Sequence, residues 1–298
     1  MTFSKAQAGL SIVELLVALV ISMLLMTGVV QVFLASKQTY ASNEAASRLK
    51  ENGRFALEFI AQSARHAGYV EAANITLARL PSPVATAPED SSDPDAYKCD
   101  QLCSRQGTDN DPNIAVASDT VAFSFQPRLQ DGARRDCLGK NSGIGTSDLI
   151  INHFYIIPAD PDNGPRRNSL GCASRNISTN ADISIKPAPG GSHNNNVLVE
   201  GIDALQVQYG IGTTGGVTRY VSADRVSEED WNNVLAIRIA VLANSIEPVN
   251  PPPPPGRQYV LLDAPPLSFD EADDVEDESR LARQVFTTTI KLRNTGEP

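Results

Sequence analysis

Hydrophobic positions divide the chain into three regimes. From Leu10 to Ala35 they are almost continuous, with Glu14 the only charged residue among them. A helix over this run would extend roughly 39 Å, against a hydrocarbon core of about 30 Å. From Ser36 to Ala67 the apolar positions thin into a stripe. Leu49, Ala56, Phe59, Ile60, Ser63 and Ala67 recur at three- and four-residue spacing or its sum, while Lys50, Glu51, Arg54 and Glu58 face elsewhere. No proline occurs before Pro81, good helix formers dominate, and Gly68 is a natural stop. The pattern predicts one helix of about 58 residues, apolar all round in its first half and amphipathic in its second. The stripe is too short and alanine-rich for the sustained heptads of a coiled coil.

Beyond Gly68 the period shortens. Strands are predicted at Thr120 to Phe125, Leu149 to Ile157, Val197 to Val199, Leu205 to Tyr209, Thr218 to Val221, Val234 to Leu242, Tyr259 to Leu262 and Val285 to Leu292. Leu205, Val207 and Tyr209 alternate with Gln206 and Gln208, the period of a half-buried strand. Ser227 to Asp230 reads as a helical turn capped by the Ser227 side chain, with Trp231 turned inward. One long helix followed by runs of strands argues for an α+β fold, with the helix packed on an antiparallel sheet and an additional small β region.

Two stretches resist this pattern. Pro81 to Asp95 is rich in Pro, Ser and Asp, and Pro248 to Gly256 holds a five-proline run expected to be an extended, semi-rigid spacer. Asp270 to Glu278 is nearly all acid and reads as a solvated loop. It lacks the spaced carboxylates of a calcium loop. The net charge of −10 argues against nucleic acid as a partner.

Charge also orients the first segment. The amino terminus and Lys5 precede Glu14 with no acid between, so the positive-inside bias keeps that end cytoplasmic and sends everything after Ala35 outward. A cleavable signal peptide fits poorly, because the apolar run is long and its exit lacks a small-x-small site. A plain single-pass anchor fits the length but leaves Glu14 unexplained. A carboxylate at the membrane costs about 2.5 to 3.5 kcal/mol on insertion scales, which calls for a specific partner. Cys99, Cys103, Cys137 and Cys172 all lie on the outward side, where disulfides form. Four cysteines permit three pairings, and pairing within the couples Cys99 with Cys103 and Cys137 with Cys172 is favoured. No histidine lies near them to complete a metal site.

Catalytic machinery is not recognisable. His66, His153 and His193 neighbour no nucleophile motif, and the thiols form no Cys-x-x-Cys. Gly210-Ile-Gly212-Thr-Thr-Gly215 spells a dinucleotide-binding pattern, but a strand follows it where a helix amino terminus is required, so it reads as a hairpin loop. The expectation is a non-enzyme without cofactor.

Gly9 just before the apolar run, with Glu14 five residues after it, resembles the processing site of type IV prepilins. The resemblance implies that a membrane peptidase cuts after Gly9, that the new amino terminus at Leu10 is methylated, and that Glu14 acts in assembly. Phe is commoner at the first mature position than Leu10. Four further phrases narrow the resemblance to PilW-type minor pilins. They are Arg48 to Ile60 with His66-Ala-Gly-Tyr69, Val199 to Gly210, Trp231 to Arg238, and Arg283 to Asn294. Where many relatives carry Gly-Cys after Ala-Gly-Tyr, this chain has Val70-Glu-Ala72, which makes the Cys99 and Cys103 couple the candidate substitute.

The implied organisation is a leader at 1–9, a membrane and assembly helix at 10–36, its amphipathic continuation at 37–68, and a β-rich periplasmic or extracellular domain at 69–298. The implied function is priming of type IV pilus assembly at or near the tip. Partners would be other minor pilins, the major pilin, the prepilin peptidase, the inner-membrane assembly machinery and a tip adhesin. The protein would reside in the inner membrane before assembly and at the pilus tip on the cell surface afterwards. A type II secretion pseudopilin, or a membrane-anchored periplasmic binding or enzymatic domain, are the alternatives.

Overall fold

A computed structural model describes residues 11–72, 82–85, 103–107, 118–141, 143–160, 164–184, 195–213, 215–269 and 278–294. The chain divides into two compact units, one ending at Glu44 and the other beginning at Ala45. The single long helix, α1, spans Ile12–His66.

In the second unit α1 is amphipathic and buries Leu49, Gly53, Ala56, Ile60, Ala61, Ser63 and Ala64. The predicted stripe is corrected at one position, since Phe59 is 37% exposed and Gly53 lies on the buried face instead. Gly68, in the left-handed region at φ 74°, ends the helix, and its N–H donates to the Ser124 carbonyl at 2.8 Å. Three amide side chains fasten the helix along its length. Asn52 donates to the Glu200 carbonyl at 3.0 Å, Asn152 to the Ser63 hydroxyl at 3.2 Å, and Asn294 to the Ala67 carbonyl at 3.0 Å.

Two antiparallel sheets follow. Strands β1 (Val121–Phe125), β2 (Ile150–Ile157), β3 (Ser169–Asn176) and β4 (Ala181–Ser184) run in spatial order, and β5 (Val197–Glu200) also pairs with β3. The other sheet has four strands in the order β11 (Arg283–Lys291), β8 (Val234–Asn244), β6 (Ile202–Thr213) and β7 (Gly216–Val221). A ribbon of β9 (Gln258–Tyr259) and β10 (Leu267–Ser268) lies apart. The architecture is α+β with the helix on antiparallel sheet, as the pattern predicts, but the second β region is no smaller than a full sheet. Ile60, Phe123, Phe154, Leu170, Leu205, Tyr209 and Ile237 share one core, so helix and both sheets exclude water together.

Several local expectations change. The β6 stretch expected to be half-buried is buried on both faces, Gln206 included, because Tyr259 and Leu261 cover Ala204, Ala240 and Leu242 on its far side. Of the strand expected at Tyr259 to Leu262 only Tyr259 falls in β9, and Leu261 packs on the sheet from the loop that follows. Ser227 precedes a 3-10 turn at Glu228–Asn233, yet its side chain makes no capping bond; its backbone carbonyl accepts from the Asp230 N–H at 3.0 Å. Trp231 packs against the core, edge-on to Tyr209 at 4.8 Å between ring centroids. The glycine pattern at Gly210 lies on the β6–β7 hairpin, with Thr213 paired to Gly216.

Candidate assembly helix and its supporting domain

Helix formation begins at Ser11, whose hydroxyl accepts from the Val13 N–H at 3.3 Å while its carbonyl accepts from the Leu15 N–H at 3.2 Å. Glu14 therefore stands in the first turn, where a carboxylate complements the exposed N–H groups of the helix end. Within the first unit every apolar side chain from Ile12 to Leu34 is exposed, from 81% at Ile12 to 45% at Val30. Ser22 and Thr27 within this run, and Thr39 beyond it, each donate to the carbonyl four residues earlier, at 2.8, 2.8 and 2.9 Å. The helix is long and apolar enough to cross a membrane. Gly9 and Leu10, the expected cleavage and methylation positions, lie outside the described residues.

In the second unit a disulfide joins Cys137 to Cys172, tying the loop before β2 to the central strand β3. Cys103 is also disulfide-bonded, and Cys99 lies outside the described residues. Of the acidic stretch expected to be a solvated loop, 270–277 lie outside the described residues. Glu278 departs from that expectation, being partly buried and ion-paired to Arg167 at 3.1 Å and to Arg283. Among the described residues no group of His, Cys, Asp or Glu is arranged to hold a metal ion.

A buried polar network is the largest feature the sequence did not announce. Arg283 and Asp203 pair at 2.7 Å with side chains only 2% and 1% exposed, and the face of Arg283 lies 3.6 Å from the Phe269 ring centroid. Asp203 also accepts from Asn244 at 2.8 Å. Asn244 in turn accepts from the Ile246 N–H at 2.8 Å, while Arg167 donates to the Ile246 carbonyl at 2.9 Å. A second buried acid, Asp119, accepts backbone N–H bonds from Gly107 and Val207, both at 2.8 Å, and so links the segment before β1 to β6. Burial pushes its carboxyl up to about 7, against the pull of those two donors. Burial and the neighbouring Arg128 hold His66 below its ordinary value.

A bilayer-length apolar helix that runs into a domain of helix on antiparallel sheets defines the type IV pilin-like class. The family model described as Type IV Pilus-assembly protein W matches residues 154–294, and that of the prokaryotic N-terminal methylation motif matches residues 4–30. Over those residues the chain is similar to the PilW pilus-assembly family. No curated protein matches it. A solved type IV-like pilin from Thermus thermophilus is 15% identical, with a TM-score of 0.42, over 84% of this chain and 99% of that one. The methylation motif and the apolar helix together point to a membrane-anchored pilin that works with pilus machinery.

Proposed function

We propose that this chain is a minor pilin that primes assembly of the type IV pilus and sits at or near the pilus tip. The observation that carries the reading is Glu14 at the head of a fully exposed apolar helix joined to a PilW-family domain. Residues 1–9 are the leader, cut after Gly9 by the prepilin peptidase, and the methylated amine of Leu10 begins the mature chain. Residues 10–36 hold the protein in the inner membrane, 37–68 continue the helix, and 69–298 form the periplasmic domain. On assembly the apolar helix leaves lipid for a bundle of like helices from other minor pilins and the major pilin. In that dry setting Glu14 neutralises an amino-terminal ammonium, its own or a neighbour's, where pairing counts most. At the cell surface the completed tip complex supports an adhesin. No reaction is assigned to the chain.

The test is surface pilus yield in strains carrying Glu14→Ala or Glu14→Gln as the only copy, with membrane levels of the protein checked alongside. Both variants should insert normally, and the alanine form more easily by about 2.5 to 3.5 kcal/mol. Bundling should fail, because an unpaired buried charge typically costs about 3 to 5 kcal/mol. Normal piliation with both variants would overturn the role of Glu14. Unchanged piliation with impaired protein export on deletion of the chain would move it to a type II secretion system.

A further inference from the structure

The edge of a sheet carries unpaired N–H and C=O groups, so folded proteins shorten, kink, charge or cover it. Among the described residues three edges of the two sheets are treated in this way. The outer side of β1 is covered, since Val84 bridges to Phe123 and the Ala85 N–H donates to the Ala122 carbonyl at 3.0 Å. Strands β4 and β5 are four residues each and pair with β3 through register shifts. Strand β7 carries a register shift against β6, and its Arg219 is ion-paired to Asp230 at 2.8 Å.

Strand β11 has none of these devices. It pairs with β8 over nine residues without a register shift, and from Gln284 to Ile290 it holds no charge, proline or glycine. The Leu292 N–H donates to the Leu235 carbonyl at 2.9 Å, which fixes the phase of the ladder. Hydrogen-bonded positions alternate in an antiparallel pair, so Ile290, Thr288, Phe286 and Gln284 bond to β8. Thr289, Thr287 and Val285 therefore turn their N–H and C=O groups away from the sheet. Thr287 and Thr289 are exposed, Val285 is half-buried, and no described residue bonds to these outward groups. Phe286 on Gly53 and Asn294 on Ala67 pin both ends of this stretch to α1, so the open edge is already ordered.

We infer that the β11 edge takes up an extended segment of another protein, which adds a strand to the sheet and carries a carboxylate where it passes Lys291 and Arg293. The inference holds whether or not the chain primes a pilus. A row of alternating outward donors and acceptors is matched by a backbone in the extended conformation, whose main-chain bonds supply the affinity. Thr287 and Thr289 favour β-branched residues opposite them on the new strand. Charge selects the acidic end, because Lys291 and Arg293 are exposed and ion-paired to no described residue. A second copy of β11 fits poorly, since Gln284 to Asn294 contains no acid to meet those cations.

The experiment uses the full-length chain in detergent. Amide exchange should be fast at Val285, Thr287 and Thr289 and slow at Phe286, Thr288 and Ile290. The probe is the capped peptide Asp-Thr-Val-Thr-Val-Thr-Val, whose acid meets Lys291 in antiparallel pairing. Its binding should slow exchange at the outward positions of β11 and leave β7 unchanged. Thr287→Pro removes an outward N–H and no bond to β8, so binding should be lost while the thermal midpoint holds. Lys291→Glu should weaken this peptide and strengthen one with Lys in place of Asp. No protection at saturating peptide, protection spread evenly along β11, or undiminished binding by Thr287→Pro overturns the inference. So does a midpoint lowered by both Thr287→Pro and Thr289→Pro, since those N–H groups would then serve the fold. In cells with the chain as the only copy, the photocrosslinker p-benzoylphenylalanine in place of Thr287 or Thr289 should reach alternate residues of one partner segment. Adducts scattered over a partner's surface would overturn strand addition.

Discussion

The ring of Phe286 lies directly on the backbone of Gly53, so close that a Cβ at that position would clash with its Cδ2, Cε2 and Cγ atoms. Edge strand β11 thereby docks onto α1 at a helical position that has no side chain. Gly53→Ala should destabilise the soluble portion, residues 37–298. Overpacking costs roughly 1 to 3 kcal/mol, against a gain of about 1 kcal/mol in helix propensity. In a Phe286→Ala background the sign should reverse, since the clash is gone and only the propensity gain remains. Denaturant midpoints of the four proteins decide it, and equal effects of Gly53→Ala in both backgrounds would refute the contact.

Asp119 should make stability depend on pH in the direction opposite to most carboxylates. Its folded pKa is about 7 against an ordinary 3.8, so between those values the folded state holds a proton that the unfolded state releases. Its contribution is therefore full at low pH and is lost as pH rises through about 7, by at most on the order of 4 kcal/mol. Urea midpoints near pH 5 and near pH 8 measure it. Asp119→Asn should flatten the difference, and an unchanged pH profile in that variant would exclude Asp119 as its source.

The Cys137–Cys172 bridge closes a separation of 35 residues, and such a loop contributes on the order of 3 to 4 kcal/mol by restricting the unfolded chain. Reduction should lower the thermal midpoint of the soluble portion. Peptide mapping under non-reducing conditions should recover the Cys137 and Cys172 peptides joined, and free thiols at both positions would contradict the structure.

Processing should leave Leu10 as the first residue, because Gly9 without a side chain lets the peptidase approach the backbone. Intact mass of the membrane-extracted protein reads this directly. Gly9→Val should block maturation while membrane insertion continues, since the apolar run is untouched. A mature terminus beyond Ser36 would count against the whole proposed pathway.

Much of the fold was legible because its elements carry strong periods. The helix, β1, β2, β6, β8 and β11 were found within a few residues of their ends. The misses share a cause, which is that burial was set by partners distant in sequence. Strand β3, Ser-Leu-Gly-Cys-Ala-Ser-Arg-Asn, is the centre of its sheet and nearly all buried, yet its small and polar residues give no apolar alternation. Gly171 is small because Ile157 and Tyr155 lie against it, which no local pattern reveals. Gln206 looked solvent-facing until the loop carrying Tyr259 and Leu261 covered it. Arg283 and Asp203 are 80 residues apart, so nothing local distinguishes their pair from ordinary surface charges. The candidate assembly helix was legible for the converse reason. Glu14 within an apolar run is a local contradiction, and local contradictions are what a sequence displays.

The three amides that fasten α1 have a mechanical consequence. In the proposed filament, tension would reach each subunit along its helix. Asn52, Asn152 and Asn294 grip that helix at separate points, through Glu200, Ser63 and Ala67. Force along the helix axis is shared among the three bonds and the apolar stripe between them, whereas force across the axis would open them one after another. Extraction under axial load must break the whole set in a single event, so the domain resists in the direction in which a filament would pull it and yields most easily to peeling, where resistance is governed by the weakest bond in turn.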